Sequence, residues 1–149
     1  VMDLPTAGGP VRLAISICYD IVDDALLRES VLDGGRVIIS SSNNADFGRT
    51  DESAQQLAFA RIRAIELGRA VVNASTVGIT AVIGPDGAVT DSLPWYTAGS
   101  IVTTVPLVDT ITPAAAGGQW VELAAGALGA VLLAGAGIGL RDAARRPRG

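Results

Sequence analysis

The sequence predicts an α/β layered fold followed by one C-terminal helix that spans a membrane. Over residues 1–108, short runs of aliphatic and β-branched residues alternate with segments of helical pattern, as is typical of layered α/β domains. Residues 121–140 then form an apolar stretch in which Glu122 is the one charged residue. The last segment, residues 141–149, carries four Arg and one Asp.

Seven elements are expected in the α/β region. Five are strands, because each is a short apolar run next to turn-forming residues. Two are helices, the first preceded by acidic residues and the second ended by Gly68. The segment Pro85-Asp86-Gly87 predicts a turn, because Pro fixes φ and Gly permits a positive φ. The strands are Val11–Ile17, Val37–Ser42, Ala70–Ala74, Ile79–Ile83 and Ile101–Val105, and the helices are Ala25–Leu32 and Glu52–Leu67.

The apolar stretch Val121–Leu140 has the length of a membrane-spanning helix. Its residues, at about 1.5 Å each, extend about 30 Å, which is the thickness of the hydrocarbon core of a bilayer. Trp120 precedes the stretch and the arginines follow it, so the positive-inside rule predicts a cytoplasmic C-terminus and an outward-facing α/β region. The alternative is a buried core helix rich in Ala and Gly. The chain is thus divided into residues 1–108, a linker over 109–120, the helix over 121–140 and a basic tail over 141–149.

The composition excludes several kinds of site. All 11 basic residues are Arg, so these residues contain neither a histidine base nor a catalytic lysine. A single Cys forms no internal disulfide, and without His it builds no zinc site. The formal net charge of −4 argues against a nucleic-acid partner. We expect no metal ion and no cofactor.

Cys18 is the candidate nucleophile. It follows the predicted strand Val11–Ile17 and precedes a turn into a helix, a position that exposes a side chain and directs the next backbone N–H groups toward a developing oxyanion. A helix N-terminus close by also favours the thiolate. The alternative is that Cys18 is a small apolar residue buried at the end of its strand.

Four sequence segments occur in an order that, taken together, is a more specific signal than any one of them alone. The first is Ile17-Cys18-Tyr19-Asp20, and the second is the loop NNADFGRT at residues 43–50. The third, QQLAFARIRAIELGR at residues 55–69, is a helix and its exit, and the fourth, ASTVGITAVIGPDG at residues 74–87, is a pair of strands with their turn. Together with the apolar helix, these segments resemble the apolipoprotein N-acyltransferases of the nitrilase (carbon–nitrogen hydrolase) superfamily over about residues 11–140. Asp20 stands where that family usually has Glu, and Asp46 stands where it often has Trp.

The resemblance implies both a fold and a reaction. The fold is a nitrilase-like α-β-β-α sandwich, of which residues 1–108 would be the C-terminal half. In the reaction, the Cys18 thiolate takes an acyl chain from a phospholipid as a thioester, and the N-terminal amine of a diacylglyceryl-cysteine lipoprotein then accepts it. The resemblance also gives Tyr19 and Asp20 supporting or oxyanion roles. A substrate loop would contain Asn43, Asn44, Phe47 and Gly48.

These implications place the protein at the cell membrane, with its catalytic domain outside the cytoplasm and with phospholipid, lipoprotein and the membrane as partners. In the family, a Glu and a Lys upstream of the Cys complete the catalytic triad. This sequence has no Lys, and Asp3 is the one acidic residue before Cys18. We therefore expect a C-terminal piece that is inactive without its upstream half. Two alternatives stay open: a membrane-tethered amidase or nitrilase, and a non-catalytic membrane-anchored remnant.

Arg61 lies within an apparent apolar stripe of the second predicted helix. A guanidinium there is costly unless it is paired, so the pattern predicts a structural ion pair. The alternative is a contact with a lipid phosphate. The stripe consists of Ala54, Leu57, Ala58, Ile62 and Ile65.

Overall fold

The computed structural model describes residues 1–145. The chain divides into two compact units, Val1–Ala116 and Gly117–Gly149. The first unit contains the sheet, the helices that cover it and the candidate nucleophile. The second unit consists mainly of one long helix.

The first unit is built on one mixed sheet of six strands, in which the order across the sheet is the order along the chain. Two pairs, β2 with β3 and β3 with β4, are parallel, and the other three pairs are antiparallel. The strands are β1 (Met2–Leu4), β2 (Val11–Ile17), β3 (Val37–Ser42), β4 (Val71–Ser75), β5 (Thr80–Ile83) and β6 (Val89–Leu93). Because β2, β3 and β4 run in the same direction, their carboxyl ends lie along one edge of the sheet.

Two helices cover one face of this sheet. Helix α1 (Asp24–Leu32) connects β2 to β3, and helix α2 (Glu52–Leu67) connects β3 to β4. Both helices pack onto a row of buried residues that pair across neighbouring strands, and removing this apolar area from water is the main favourable contribution to folding. The row consists of Ala14, Ile38, Val71 and Ile83, and the helices contribute Leu27, Val31, Ala60, Ala64 and Leu67.

The opposite face of the sheet carries a smaller apolar cluster. Leu13, Val37 and Ala70 are buried in it, while Ile15 and Ile39 are only partly buried. Both faces of the central strands are therefore apolar, as is typical of parallel strands enclosed between two layers.

The helix ends follow the residues that the sequence places there. The Asp23 carboxylate accepts a hydrogen bond from the Leu26 backbone N–H at 3.1 Å and thus caps α1. Helix α2 ends at Gly68, whose φ of 63° lies in the left-handed region that Gly adopts at low cost. The turn at Pro85-Asp86-Gly87 is also confirmed, with Gly87 at a φ of 78°.

One expected strand is absent from the part of the chain that the structure describes, and three elements are present that were not expected. Ile101–Val105 forms no strand. Val105 instead packs on the smaller apolar cluster, which partly buries its side chain without strand pairing. The strands β1 and β6 were not expected, because one has three residues and the other is mostly exposed and polar. The region expected to be a linker contains a short helix, α3 (Pro113–Gly117). Its start is favoured by Pro113 and capped by Thr112, whose Oγ1 accepts a hydrogen bond from the Ala115 N–H.

Helix α4 (Gln119–Arg145) contains the whole apolar stretch that was expected to span a membrane. Within residues 1–145, however, no helix combines the length and the apolar character needed to cross a bilayer. The expected transmembrane helix is therefore not supported. Part of the expected basic tail, residues 146–149, lies outside the described residues.

Arg69 is a buried cation that holds three parts of the first unit together. Its side chain is 1% exposed and has carbonyl oxygens as partners. Nε donates to Gly35 O at 2.8 Å, between α1 and β3, and Nη1 donates to Thr110 O at 2.7 Å, far along the chain. Burial lowers the pKa of the Arg69 guanidinium from its ordinary value, and the nearby charge of Asp109 partly opposes this shift.

Replacing Arg69 should destabilise the fold strongly. Arg69→Met keeps an unbranched side chain but leaves the carbonyls of Gly35 and Thr110 without their donor, and we expect the free energy of unfolding to fall by about 3 kcal/mol. Urea titration followed by circular dichroism measures the change. Arg36→Met is the matched control, because Arg36 forms a partly exposed ion pair with Asp109, whose loss should cost less than about 1 kcal/mol. Equal losses in the two variants would contradict the role given to Arg69.

Candidate active site

Cys18 lies at the carboxyl end of β2, at the first position of a short 3₁₀ turn, Cys18–Val22. Its side chain is exposed, which contradicts the alternative of a buried apolar residue. Its φ is 55°, in the left-handed region that residues other than Gly rarely adopt. Such a conformation costs about 1–3 kcal/mol and persists only where the surrounding structure imposes it. Backbone strain of this kind is concentrated at functional sites, so Cys18 becomes the centre of the candidate site.

The turn after Cys18 is fixed on both sides. The Asp20 carboxylate accepts a hydrogen bond from the Ile17 N–H at 3.1 Å, and the Asp20 carbonyl accepts one from the Asp23 N–H at 3.0 Å. Between them, the Ile21 side chain is 1% exposed and belongs to the main apolar core. The turn is thus closed by a side chain at its start and anchored by packing at its end.

Tyr19 and Asp20 have different environments: the Tyr19 side chain is exposed, and the Asp20 carboxylate accepts a backbone hydrogen bond. The Tyr19 side chain, which follows Cys18 in the sequence, is half exposed. The Asp20 carboxylate points back to the Ile17 backbone, so its visible function is to hold the turn. Their expected oxyanion or supporting roles stay predictions.

The loop over residues 43–50 begins where β3 ends, at the same edge of the sheet as Cys18. The Asn43 Oδ1 accepts hydrogen bonds from the Ala45 N–H at 3.2 Å and from the Thr76 hydroxyl at 2.6 Å. Phe47 is partly exposed, and Gly48 has a φ of 59° with open space around it. Asn43, Phe47 and Gly48 therefore lie on an accessible loop, and their contact with substrate stays a prediction.

Asn44 lies in a buried polar network. Its Oδ1 accepts from the hydroxyls of Ser42 at 3.0 Å and Ser75 at 2.6 Å, and its Nδ2 donates to Gln56 Oε1 at 2.9 Å. This network joins the ends of β3 and β4 to α2. A Cβ at Gly78 would lie 2.7 Å from Asn44 Oδ1, so the network also requires the absence of a side chain at Gly78. Asn44 thus has a structural function that the loop motif alone did not show.

A second element of this edge is formed by Arg49 and Tyr96. The guanidinium carbon of Arg49 lies 4.4 Å from the centre of the Tyr96 ring, within the range of a cation–π interaction. Tyr96 has a positive φ of 54°, and its N–H donates to Val77 O at 3.0 Å. The loops that follow β3, β4 and β6 therefore meet through specific contacts.

The chemistry available to Cys18 in the described residues is limited to its thiol and the nearby backbone. None of the hydrogen bonds or ion pairs between residues 1 and 145 involves the Cys18 side chain. In the same part of the chain, no group of three or more His, Cys, Asp or Glu side chains is placed to hold a metal ion. Within residues 1–145, the Cys18 thiol is therefore exposed and has no hydrogen bond to a side chain that could act as its base.

Comparison with known proteins supports the resemblance. The family model described as carbon-nitrogen hydrolase matches residues 1–114, which is most of the chain. The chain belongs to the carbon-nitrogen hydrolase family.

Two curated relatives of the chain have the same name. The chain is 41% identical over 112 residues to the apolipoprotein N-acyltransferase of Mycolicibacterium smegmatis, covering 75% of this chain and 19% of that protein. It is 36% identical over 134 residues to the apolipoprotein N-acyltransferase of Ralstonia nicotianae, covering 88% of this chain and 25% of that protein. The chain thus spans about a fifth to a quarter of the curated relatives it matches.

A solved structure supports the fold. The chain matches a Cys-to-Ala mutant of the Nesterenkonia AN1 amidase from the nitrilase superfamily with a TM-score of 0.53 and 20% identity. The match covers 66% of this chain and 38% of the amidase. The expected nitrilase-like α/β fold is confirmed at this level, with a mixed sheet.

The buried face of α2 differs from the expected one. Ile62 and Ile65 are 53% and 58% exposed, so the stripe that contains Arg61 is not the core face. Arg61 Nε donates to Gly87 O at 2.9 Å and supports the β5–β6 turn, so its partner is a carbonyl and not the expected carboxylate. The buried arginine of α2 is Arg63, which was not predicted from the sequence. Ala60, Ala64 and Leu67 form a helical stripe beside Arg63, and this pattern could have identified it.

Removing the Asp20 carboxylate should loosen the turn that presents Cys18. Asp20→Ala leaves the Ile17 N–H without its acceptor, and we expect the free energy of unfolding to fall by about 1 kcal/mol. Asp20→Asn should cost less, because its amide oxygen still accepts a hydrogen bond. The measurement is urea unfolding of the full chain. Asp46→Ala is the control, since Asp46 is exposed, and a loss as large there would remove the special role of Asp20.

Proposed function

We propose that this chain is the nucleophile-bearing part of an apolipoprotein N-acyltransferase. The observation that carries the proposal is the exposed Cys18, held in a left-handed conformation at the end of β2. Identity of 41% to a curated relative of that name supports the reaction class. The activity, substrates and partners of a whole enzyme are part of the proposal, because the chain spans only 19% of that relative.

The first step is attack of the Cys18 thiolate on the carbonyl carbon of a phospholipid ester. A thioester forms, the ester C–O bond breaks, and the lysophospholipid oxygen leaves with a proton supplied by a general acid. In the second step the α-amino group of a diacylglyceryl-cysteine lipoprotein attacks the thioester. An amide forms, the C–S bond breaks, and the amine proton passes to a base while the Cys18 thiolate is released.

Both steps pass through a tetrahedral oxyanion. Backbone N–H groups of a turn that follows a nucleophile are suitable donors for this charge, which gives Tyr19 its proposed role through its N–H. The base and a cation for the oxyanion are assigned by the family resemblance to a Glu and a Lys. Since the sequence has no Lys, the proposal places that residue outside these 149 residues.

Both proposed substrates are lipid-linked, so the proposal includes action at a membrane surface. Such a location depends on the substrates and needs no spanning helix in the described residues. The proposed substrate loop is that of residues 43–50, which begins at the same sheet edge as Cys18.

Hydrolysis of a carbon–nitrogen bond is the second candidate function. The family that matches residues 1–114 is described as carbon-nitrogen hydrolase, which favours it. In this reaction Cys18 forms the same kind of thioester, but water attacks the thioester in place of the amine. An assay that separates fatty-acid or ammonia release from acyl transfer to an amine distinguishes the two reactions.

Cys18 should be essential for the acyl intermediate. In a protein that also carries the Glu and Lys, phospholipid should leave a hydroxylamine-sensitive acyl adduct on the peptide containing Cys18, detected by mass spectrometry. Cys18→Ala should abolish the adduct and lower transfer by at least roughly a thousandfold, because no other thiol is present in the chain. The 149-residue chain alone should form no adduct, since it has no lysine and no histidine.

The matched control is Ser92→Ala, which changes an exposed hydroxyl on β6. Transfer should stay at the level of the unsubstituted protein in this variant. Full activity of Cys18→Ala would remove the assignment, and an adduct on the chain alone would show that Cys18 finds its base within these residues.

A further inference from the structure

The strained conformation of Cys18 requires a clamp, and part of that clamp comes from α2. Asp20 and the buried Ile21 act from within the turn itself. Two further hydrogen bonds come from Arg63 of α2, which lies 42 residues after Ile21 and 41 residues after Val22 in the sequence. Arg63 Nε donates to Ile21 O at 3.1 Å, and Arg63 Nη2 donates to Val22 O at 2.6 Å.

The geometry of Arg63 suits this function. A planar guanidinium presents its N–H groups as a fixed fork, which matches two successive carbonyl oxygens in a way that the ammonium of a lysine does not. The Arg63 side chain is buried, so its hydrogen bonds are made in a medium of low dielectric constant and are strengthened there.

Glu66 completes the arrangement. Its carboxylate pairs with Arg63 Nη1 one helical turn further on, and thereby neutralises a charge that would be costly to bury alone. The Glu66 carbonyl in turn accepts a hydrogen bond from the Thr112 hydroxyl. Arg63 is therefore fixed by its own helix, and it is a rigid support for the turn.

We propose that Arg63 is a positioning residue for Cys18, acting through the carbonyls of Ile21 and Val22 to hold the nucleophile in its left-handed, exposed conformation. The inference deepens the proposed function, because it rests on Cys18 as the nucleophile. Without the two bonds, the turn is free to relax to negative φ at Cys18, which removes the strain and redirects the thiol.

The test compares two arginines of the same helix. Arg63→Gln removes the bonds to the turn at residues 18–22, and Arg61→Gln removes the bond to Gly87 in the β5–β6 turn. Hydrogen exchange of the full chain, measured by mass spectrometry of peptides, reports on the two turns separately. Arg63→Gln should speed exchange at residues 17–23 by roughly tenfold and leave residues 84–88 unchanged, and Arg61→Gln should do the reverse.

Alkylation of the single cysteine gives a second readout that a purely structural residue does not change. Iodoacetamide should label Cys18 roughly threefold to tenfold more slowly in Arg63→Gln, because the thiol leaves its exposed position. Arg61→Gln should react like the unsubstituted chain. Glu66→Gln keeps both bonds from Arg63 to the turn, so its rate of alkylation should lie between the rates of Arg63→Gln and Arg61→Gln. This variant replaces Arg63→Gln in the test if Arg63→Gln does not fold.

In a protein that transfers acyl groups, Arg63→Gln should lower kcat and leave KM for phospholipid unchanged, since Arg63 touches the turn and not the substrate. Unchanged exchange at residues 17–23, or faster exchange of equal size in all peptides, would overturn the positioning role. Failure of the proposed function shows itself elsewhere, as full transfer by Cys18→Ala, and leaves the exchange and alkylation results to decide the role of Arg63.

Discussion

A backbone that enters the left-handed region at Cys18 needs support from every side, and much of the first unit supplies it. β2 delivers the residue to the edge of the sheet, and Asp20 closes the turn against Ile17. The packing of Ile21 under the helices then fixes the turn to the core. The Cys18 thiol can therefore stay exposed in this conformation, because Ile17 before it and Ile21 after it are fixed by a hydrogen bond and by packing.

Guanidinium groups on carbonyl oxygens are the recurrent means of fixing loops in this unit. Arg61 binds a carbonyl of the β5–β6 turn, and Arg63 binds the turn after Cys18. Arg69 binds the segment that includes Thr110. The sequence uses no lysine, and a fork of several donors satisfies more carbonyls than a single ammonium would. The second half of α2 and the residues that follow it therefore fix three separate segments of the chain and also contribute to the core.

The sequence predicts the inner part of this fold well and its edges poorly. The boundaries of β2, β3 and α2 agree with the expected ones, because long apolar runs and an end-marking Gly68 define them. β6 was not recognised, since an edge strand with polar, exposed residues carries no apolar pattern. Ile101–Val105 has the composition of a strand but does not pair, and no pattern within a segment reports whether a sheet has a free edge for it.

The candidate site shows the same division. The exposure of Cys18 could be predicted from its place after a buried strand, whereas its role as the nucleophile stays a prediction. The functions of Asn44 and Arg63 depend on partners in distant segments, Ser75 and Ile21, so no local pattern specified them.

The order of the six strands has a consequence for folding: each strand pairs with the one made just before it, so the sheet can grow along the chain during synthesis. The bonds from Arg28 to Ala115 and from Arg69 to Thr110 join the most distant segments, and they close only after the whole sheet has emerged.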